Sequence, residues 1–192
     1  MGDANAMAER VCPWWMGPLL LNPLRSWRVK PDRLLSPYVR NGMTVLEPGP
    51  GMGFFTLRLA RLVGPQGRVI AVDIQPKMID SLQRRAQKAA LDSRIETRLV
   101  QRDSLAIGDL AGAVDFVLAF AMVHEMPSAD RFFRETSAVM KPGACMLLVE
   151  PKGHVKNDKF LKELAAATDT GLIEADCPHV PGNHTVLLRK PI

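Results

Sequence analysis

Cysteine is scarce in this chain. Cys12, Cys145 and Cys177 are odd in number, far apart and nowhere in a C-x-x-C pair. That pattern excludes a disulfide framework and a zinc-ribbon site, so a reduced intracellular protein with no metal is expected. No apolar run approaches the roughly 20 residues of a membrane span. Residues 1–10 also lack the basic-then-apolar layout of a signal peptide, so a cytoplasmic location without a transmembrane segment is the expectation. Aromatics make up 6% of the residues and are not interleaved with basic ones as on a base-stacking platform. The net charge of +5 is scattered. Its densest groups are 25–33 and 84–88, and the second shares a helical stretch with Asp80 and Gln83, as a solvated face would. A nucleic-acid partner is therefore not expected, and the sequence leaves the oligomeric state open.

What is present suits one globular domain: 192 residues, 47% hydrophobic and 23% charged. Its organising stretch is 43–53, MTVLEPGPGMG. Met43–Leu46 reads as a buried strand, Glu47 follows, and glycine then recurs at Gly49, Gly51 and Gly53. From Phe54 the spacing of apolar residues predicts an amphipathic helix up to the Gly64-Pro65 break. A strand, a glycine turn and a helix N-terminus let a ligand approach the main chain and offer N–H groups to an anion. The Lys-Ser/Thr of a phosphate-binding P-loop is missing, because Phe54 and Phe55 stand there. The dinucleotide fingerprint G-x-G-x-x-G is also missing, because the spacing here is G-x-G-x-G.

A second signal stands about 20 residues after Gly53, at the offset of a ribose-binding carboxylate in a βαβ unit. The apolar run 69–72 ends there in Asp73, with Ile74 beside it. Asp73 fits either ribose binding or capping of the following helix, and the two are compatible. The alternation then predicts a helix over 75–90, a strand over 95–100 ending near Asp103 and Ser104, and a strand over 114–121. It continues with a helix over 128–140, a Lys141-Pro142-Gly143 turn, a strand over 144–150, a helix over 156–168 and two strands over 172–176 and 184–189. The Pro181-Gly182-Asn183 turn makes the last two an antiparallel hairpin. The fold class is α/β: a doubly wound, mostly parallel seven-stranded sheet with a final antiparallel hairpin strand and helices on both faces.

The stretch before the first strand is different in kind. Residues 12–24 hold two of the three tryptophans and three prolines, which rules out a long regular helix. Residues 1–32 are read as an apolar N-terminal segment and 33–192 as the domain proper. The segment fits a lid with Trp14 and Trp15 facing substrate, a structural cap on the core, or an interfacial contact. A short helix over 32–40, bent or ended by Pro37, leads into the first strand.

Gly49, Gly51 and Gly53, with Glu47 before them and Asp73 after, resemble the first motifs of the class I (Rossmann-like) S-adenosylmethionine-dependent methyltransferases. The resemblance covers about residues 33–190 and is to small bacterial methyltransferase domains, more distantly to the quinone-biosynthesis enzymes. It implies S-adenosylmethionine as cofactor, with S-adenosylhomocysteine as product. It implies cofactor contacts from Glu47, Gly49, Pro50, Gly51, Gly53, Phe54, Asp73 and Ile74, and from Asp103, Ser104 and Phe120. Asp103 is the adenine-contacting position or a turn cap. In an open parallel sheet the reacting groups lie beyond the strand ends, which brings Met122 and His124 to the acceptor with His154 as a second pocket histidine. His124 is a candidate base, oriented by Glu125, or a plain lining residue. No Asn/Asp-Pro-Pro-Tyr/Phe and no Pro-Cys follow the fourth strand, which disfavours amide, adenine and cytosine targets. Elimination leaves methyl transfer to a small-molecule acceptor, apolar or aromatic. The alternative is a non-catalytic binder of the cofactor, serving as a sensor or accessory protein.

Overall fold

The computed structural model describes residues 12–17, 21 and 29–192. Seven strands form one sheet in the order β3-β2-β1-β4-β5-β7-β6. They are β1 (Thr44–Pro48), β2 (Arg68–Asp73), β3 (Ile95–Leu99), β4 (Val114–Phe120), β5 (Met140–Pro151), β6 (Ile173–Asp176) and β7 (Asn183–Arg189). β1 to β5 are parallel, and β7 runs antiparallel between β5 and β6. The α-helices that lie wholly among the described residues are α1 (Pro31–Leu35), α2 (Thr56–Leu62), α3 (Pro76–Lys88), α4 (Ala129–Val139) and α5 (Asn157–Thr168).

The central strands are apolar on both faces, as strands covered by helices on each side must be. Leu46, Ile70, Val117 and Leu148 point into one core with Phe132 and Phe133 of α4 and Phe160 and Ala167 of α5. Their neighbours Val45, Val69, Phe116 and Leu147 point into the other, with Leu35 of α1 and Leu57 and Leu59 of α2. The strand period of two thus divides one continuous apolar run between two cores.

The chain reverses its direction across the sheet between β1 and β4. Those strands pair only through Val45–Phe116 and Leu46–Val117. β1 stays paired with β2 as far as Pro48, and β4 with β5 as far as Phe120. The carboxyl ends of β1 and β4 therefore part, and a crevice opens at the place where such sheets bind ligands.

Three local expectations are corrected. The helix after the glycines begins at Thr56, with 51–55 in turns, because Gly51 and Gly53 both have positive φ, which an α-helix excludes. The helix expected over 32–40 is Pro31–Leu35 and ends ahead of Ser36-Pro37: Ser36 still has helical dihedrals, but Pro37 has no N–H with which to continue the ladder. The Lys141-Pro142-Gly143 turn lies inside β5. Met140 pairs with Val114, the register shifts before Phe116–Cys145, and Gly143 at φ 78° donates to the Lys190 carbonyl. A bulge absorbs there what the sequence suggested as a turn.

Candidate active site

A cleft of about 920 Å³ lies over the parted strand ends. Its floor is the glycine loop. Gly49 N–H donates to the Val72 carbonyl at 2.9 Å, and Gly53 N–H to that of Pro50 at 3.0 Å. Arg85 of α3 donates to the Met52 carbonyl. The three glycines have φ of 66°, 54° and 84°, yet they serve different ends. A Cβ on Gly53 would come within 2.4 Å of Leu82 Cδ1, and one on Gly49 within 3.0 Å of Met122 Cβ. A Cβ on Gly51 would meet nothing within 4 Å. Gly49 and Gly53 let the loop pack, whereas Gly51 keeps its main chain open to the cleft.

Asp73, at the end of β2, is 8% exposed. Burial pushes its carboxyl up to about 6, against N–H groups of Gln75, Gly51 and Ile74 that hold it down. The Gln75 N–H lies 2.9 Å from Oδ1. A carboxylate thus stands at the end of β2 beside the glycine loop, lining the cleft.

At the other end of the cleft, β4 runs into the short turn Val123–Glu125. Ala121 enters that turn at φ 56°, a left-handed conformation that costs an alanine roughly 1–2 kcal/mol. The turn carries His124, whose Nδ1 is 2.5 Å from Glu150 Oε2. Glu150 is fully buried at the end of β5, and its Oε1 accepts the N–H groups of Val123 at 2.8 Å and His124 at 3.3 Å. Burial pulls the His124 imidazolium down. The hydrogen bond and charge of Glu150, with the charge of Glu125, outweigh that and leave its pKa above the ordinary histidine value. The His154 ring stacks 6.0 Å away.

Glu125 was the expected partner of His124, and the structure gives that place to Glu150. Glu125 Oε1 stands 3.9 Å from Nε2, while its Oε2 accepts the Cys12 N–H at 3.3 Å. Glu150 was legible in one respect: Glu-Pro ends β5 as Glu47-Pro48 ends β1.

The cleft brings together Glu47, Gly49, Pro50, Gly51, Phe54, Asp73, Ile74, Phe120, Met122, His124 and His154. Gly53 lies behind it, against Leu82. Asp103 and Ser104 are not brought in. Gln101 and Ser104 pair in a tight turn that carries Asp103 outward, where its side chain is 73% exposed and 3.8 Å from Arg131. Val100, Gln101, Arg102 and Leu105 line the cleft from this segment instead. Trp14 and Trp15 also miss it, being 44% and 64% exposed, with Lys77 Nζ 3.7 Å over the Trp14 ring. Cys12 and Pro13 reach the cleft in their place, and Gln75 Nε2 donates to the Cys12 carbonyl at 2.9 Å. Much of the N-terminal segment lies outside the described residues, including 1–11, 18–20 and 22–28. Among the described residues no helix is long and apolar enough to cross a membrane.

Comparison with known proteins agrees with this geometry. The chain is 29% identical over 151 residues to a demethylmenaquinone methyltransferase of Lactobacillus johnsonii, across 77% of this chain and 60% of that protein. A stretch of 102 residues is 35% identical to an arsenite methyltransferase of Halobacterium salinarum, across 53% of this chain and 25% of that protein. The chain thus spans between a quarter and three-fifths of the length of these curated relatives. The crystal structure of a SAM-dependent methyltransferase from Aquifex aeolicus shares the fold, with a TM-score of 0.82 over 93% of this chain and 99% of that one at 23% identity. The family model of a methyltransferase domain matches residues 40–183. The chain belongs to the class I S-adenosylmethionine-dependent methyltransferase-domain family.

Proposed function

We propose that the protein transfers a methyl group from S-adenosylmethionine to a small apolar or aromatic acceptor, with His124 as the general base when the acceptor is a hydroxyl. The observation that carries this reading is the His124–Glu150 pair, 2.5 Å apart, in the same cleft as the glycine loop and Asp73. A protein that only held the cofactor would have no use for a base anchored by a buried carboxylate.

The residues present fit the cofactor. Gly51 leaves open space beside its main chain, Asp73 is a buried acceptor suited to ribose hydroxyls, and Ile74 and Phe120 supply apolar walls. When bound, S-adenosylmethionine supplies a methyl group on a positively charged sulfur, already activated for in-line displacement. The protein's part is to place the acceptor and take its proton, and positioning alone can lower the barrier by several kcal/mol. Met122, Met126, Pro127 and Pro151 give the acceptor end apolar surface. With Glu150 accepting at Nδ1, the neutral His124 ring keeps its proton there and offers the Nε2 lone pair to the cleft.

By their names the relatives act on demethylmenaquinone and on arsenite. An arsenite acceptor would be favoured by thiols converging on the cleft. Cys12 lines it, but Cys145 sits toward the start of β5, paired with Arg189, and Cys177 follows β6. The apolar acceptor end favours an organic one.

Calorimetric titration with S-adenosylhomocysteine, alongside NAD, on the wild type and Asp73→Ala tests the cofactor half. Binding of S-adenosylhomocysteine alone, lost in the variant, is expected, and a preference for NAD would overturn the reading. Transfer of labelled methyl to a panel of phenols, quinols and thiols tests the other half. Cofactor binding with no transfer to any acceptor would favour the sensor or accessory reading.

A further inference from the structure

Glu163, on α5, is a buried acid that the chemistry above leaves without a use. It is 3% exposed, and neither of its carboxyl oxygens has a hydrogen-bond partner. Burying an unsatisfied polar group is destabilising, and the same helix buries Phe160, Ala166 and Ala167 without that cost. The charged groups that act on Glu163 are Lys159 from its own helix, Glu150 from β5 and His124 from the turn after β4. Lys159 stands one turn earlier, with Nζ 4.0 Å from Glu163 Oε1. The same Nζ donates to the His124 carbonyl at 3.2 Å. Two acids and one ammonium group are therefore gathered behind a single histidine.

We infer that Glu163 and Lys159 are positioning residues for the base: a second tier behind the His124–Glu150 pair that sets how firmly His124 holds its proton. The assignment stands on His124 being the base proposed above. An ionised Glu163 adds negative charge near the imidazole and favours its protonated form, and Lys159 opposes it. Around His124 the opposing set is completed by Glu150 and Glu125, which favour the imidazolium. Desolvation, with the charge of Glu150, pushes the Glu163 carboxyl up to about 7, against Lys159 and His124, which hold it down. The charges of Glu163 and His124 act on each other, so the ionisation of one is coupled to that of the other. A base tuned near neutral pH is the most effective one for a proton of ordinary acidity.

The test is an NMR titration of the His124 ring from about pH 5 to about pH 9, the range in which histidines exchange charge. It uses the protein saturated with S-adenosylhomocysteine, and the signal is assigned by its loss in His124→Asn. In the wild type the titration should be broad and above the ordinary histidine range. Glu163→Gln, which keeps the shape, should sharpen it to one step and lower its midpoint by about half a unit or more, a roughly threefold change in proton affinity. Lys159→Met should move the midpoint up. A structural role for Glu163 would change the melting temperature and leave the midpoint in place. Midpoints unmoved in both variants would overturn the inference. If Glu163→Gln does not fold, Lys159→Met alone decides, because that side chain is 45% exposed. No acceptor enters this measurement. Failure of His124 as base would appear separately, as unchanged turnover in His124→Ala beside shifted His124 midpoints in Glu163→Gln and Lys159→Met.

Discussion

One carboxylate of Glu150 fixes both the ring and the backbone of His124: Oε2 lies 2.5 Å from Nδ1 while Oε1 accepts the N–H groups of Val123 and His124. The end of β5 thereby sets the conformation of the turn after β4. Those two strands are parallel neighbours in register up to Phe120–Val149.

That relationship separates two variants. His124→Ala should leave S-adenosylhomocysteine affinity unchanged and lower turnover on a hydroxyl acceptor by about 10²–10⁴, the usual worth of a positioned base. Glu150→Gln should lower turnover and also destabilise the fold by about 1–3 kcal/mol, since buried N–H groups lose a charged acceptor. Turnover on hydroxyl and thiol acceptors, with urea melts, would check both; an unaffected His124→Ala would remove the base.

Asp73 should make ligand-free stability depend on pH. Its folded-state carboxyl titrates at about 6, above the ordinary 3.8. Between those values the folded protein holds a proton that the unfolded chain has released, so this group's contribution falls as pH rises and is fully lost above about pH 7. The shift corresponds to about 2–3 kcal/mol. Asp73→Asn should therefore be more stable than wild type at pH 8 and equal to it near pH 4, while binding S-adenosylhomocysteine at least about tenfold more weakly. Thermal melts at both pH values would show it, and a variant less stable at pH 8 would contradict it.

Two glycines should part company. Gly53→Ala forces a Cβ against Leu82 at φ 84° and should cost about 2 kcal/mol or more of stability. A Cβ at Gly51 has room in the ligand-free protein, so the cost of Gly51→Val is chiefly the strained φ of 54°, about 1–2 kcal/mol or more for a β-branched residue. It should nevertheless weaken cofactor binding strongly by filling the open side of the loop. Parallel melts and calorimetry would separate the two effects.

Asp103→Ala should leave cofactor affinity within about twofold of wild type, because the side chain is exposed and directed to Arg131 outside the cleft. A loss of tenfold or more would show that the Gln101–Ser104 turn reverses when the cofactor binds.

The architecture was legible because it is written in local signals. Apolar runs of strand length, Gly49 to Gly53 and the acid at Asp73 each follow from the chain's own spacing. The sheet turned these into a switch-point cleft as expected. The sequence misled where local chemistry suits two conformations. Lys141-Pro142-Gly143 reads as a turn but is accommodated as a bulge, because Met140 finds a partner in Val114. Asp103 follows a strand as a ligand-binding acid would, but a four-residue turn decides its direction.

The sequence by itself determined the sheet, the glycine loop and the positions of Asp73 and His124 at strand ends, since strand length, turn chemistry and periodicity are properties of neighbours along the chain. Only the tertiary structure decided that Glu150 and not Glu125 holds His124, that Cys12 and not Trp14 reaches the cleft, and that Glu163 stands behind His124. Those pairings join residues 26 or more positions apart, and which of several available acids meets a histidine depends on packing across the sheet.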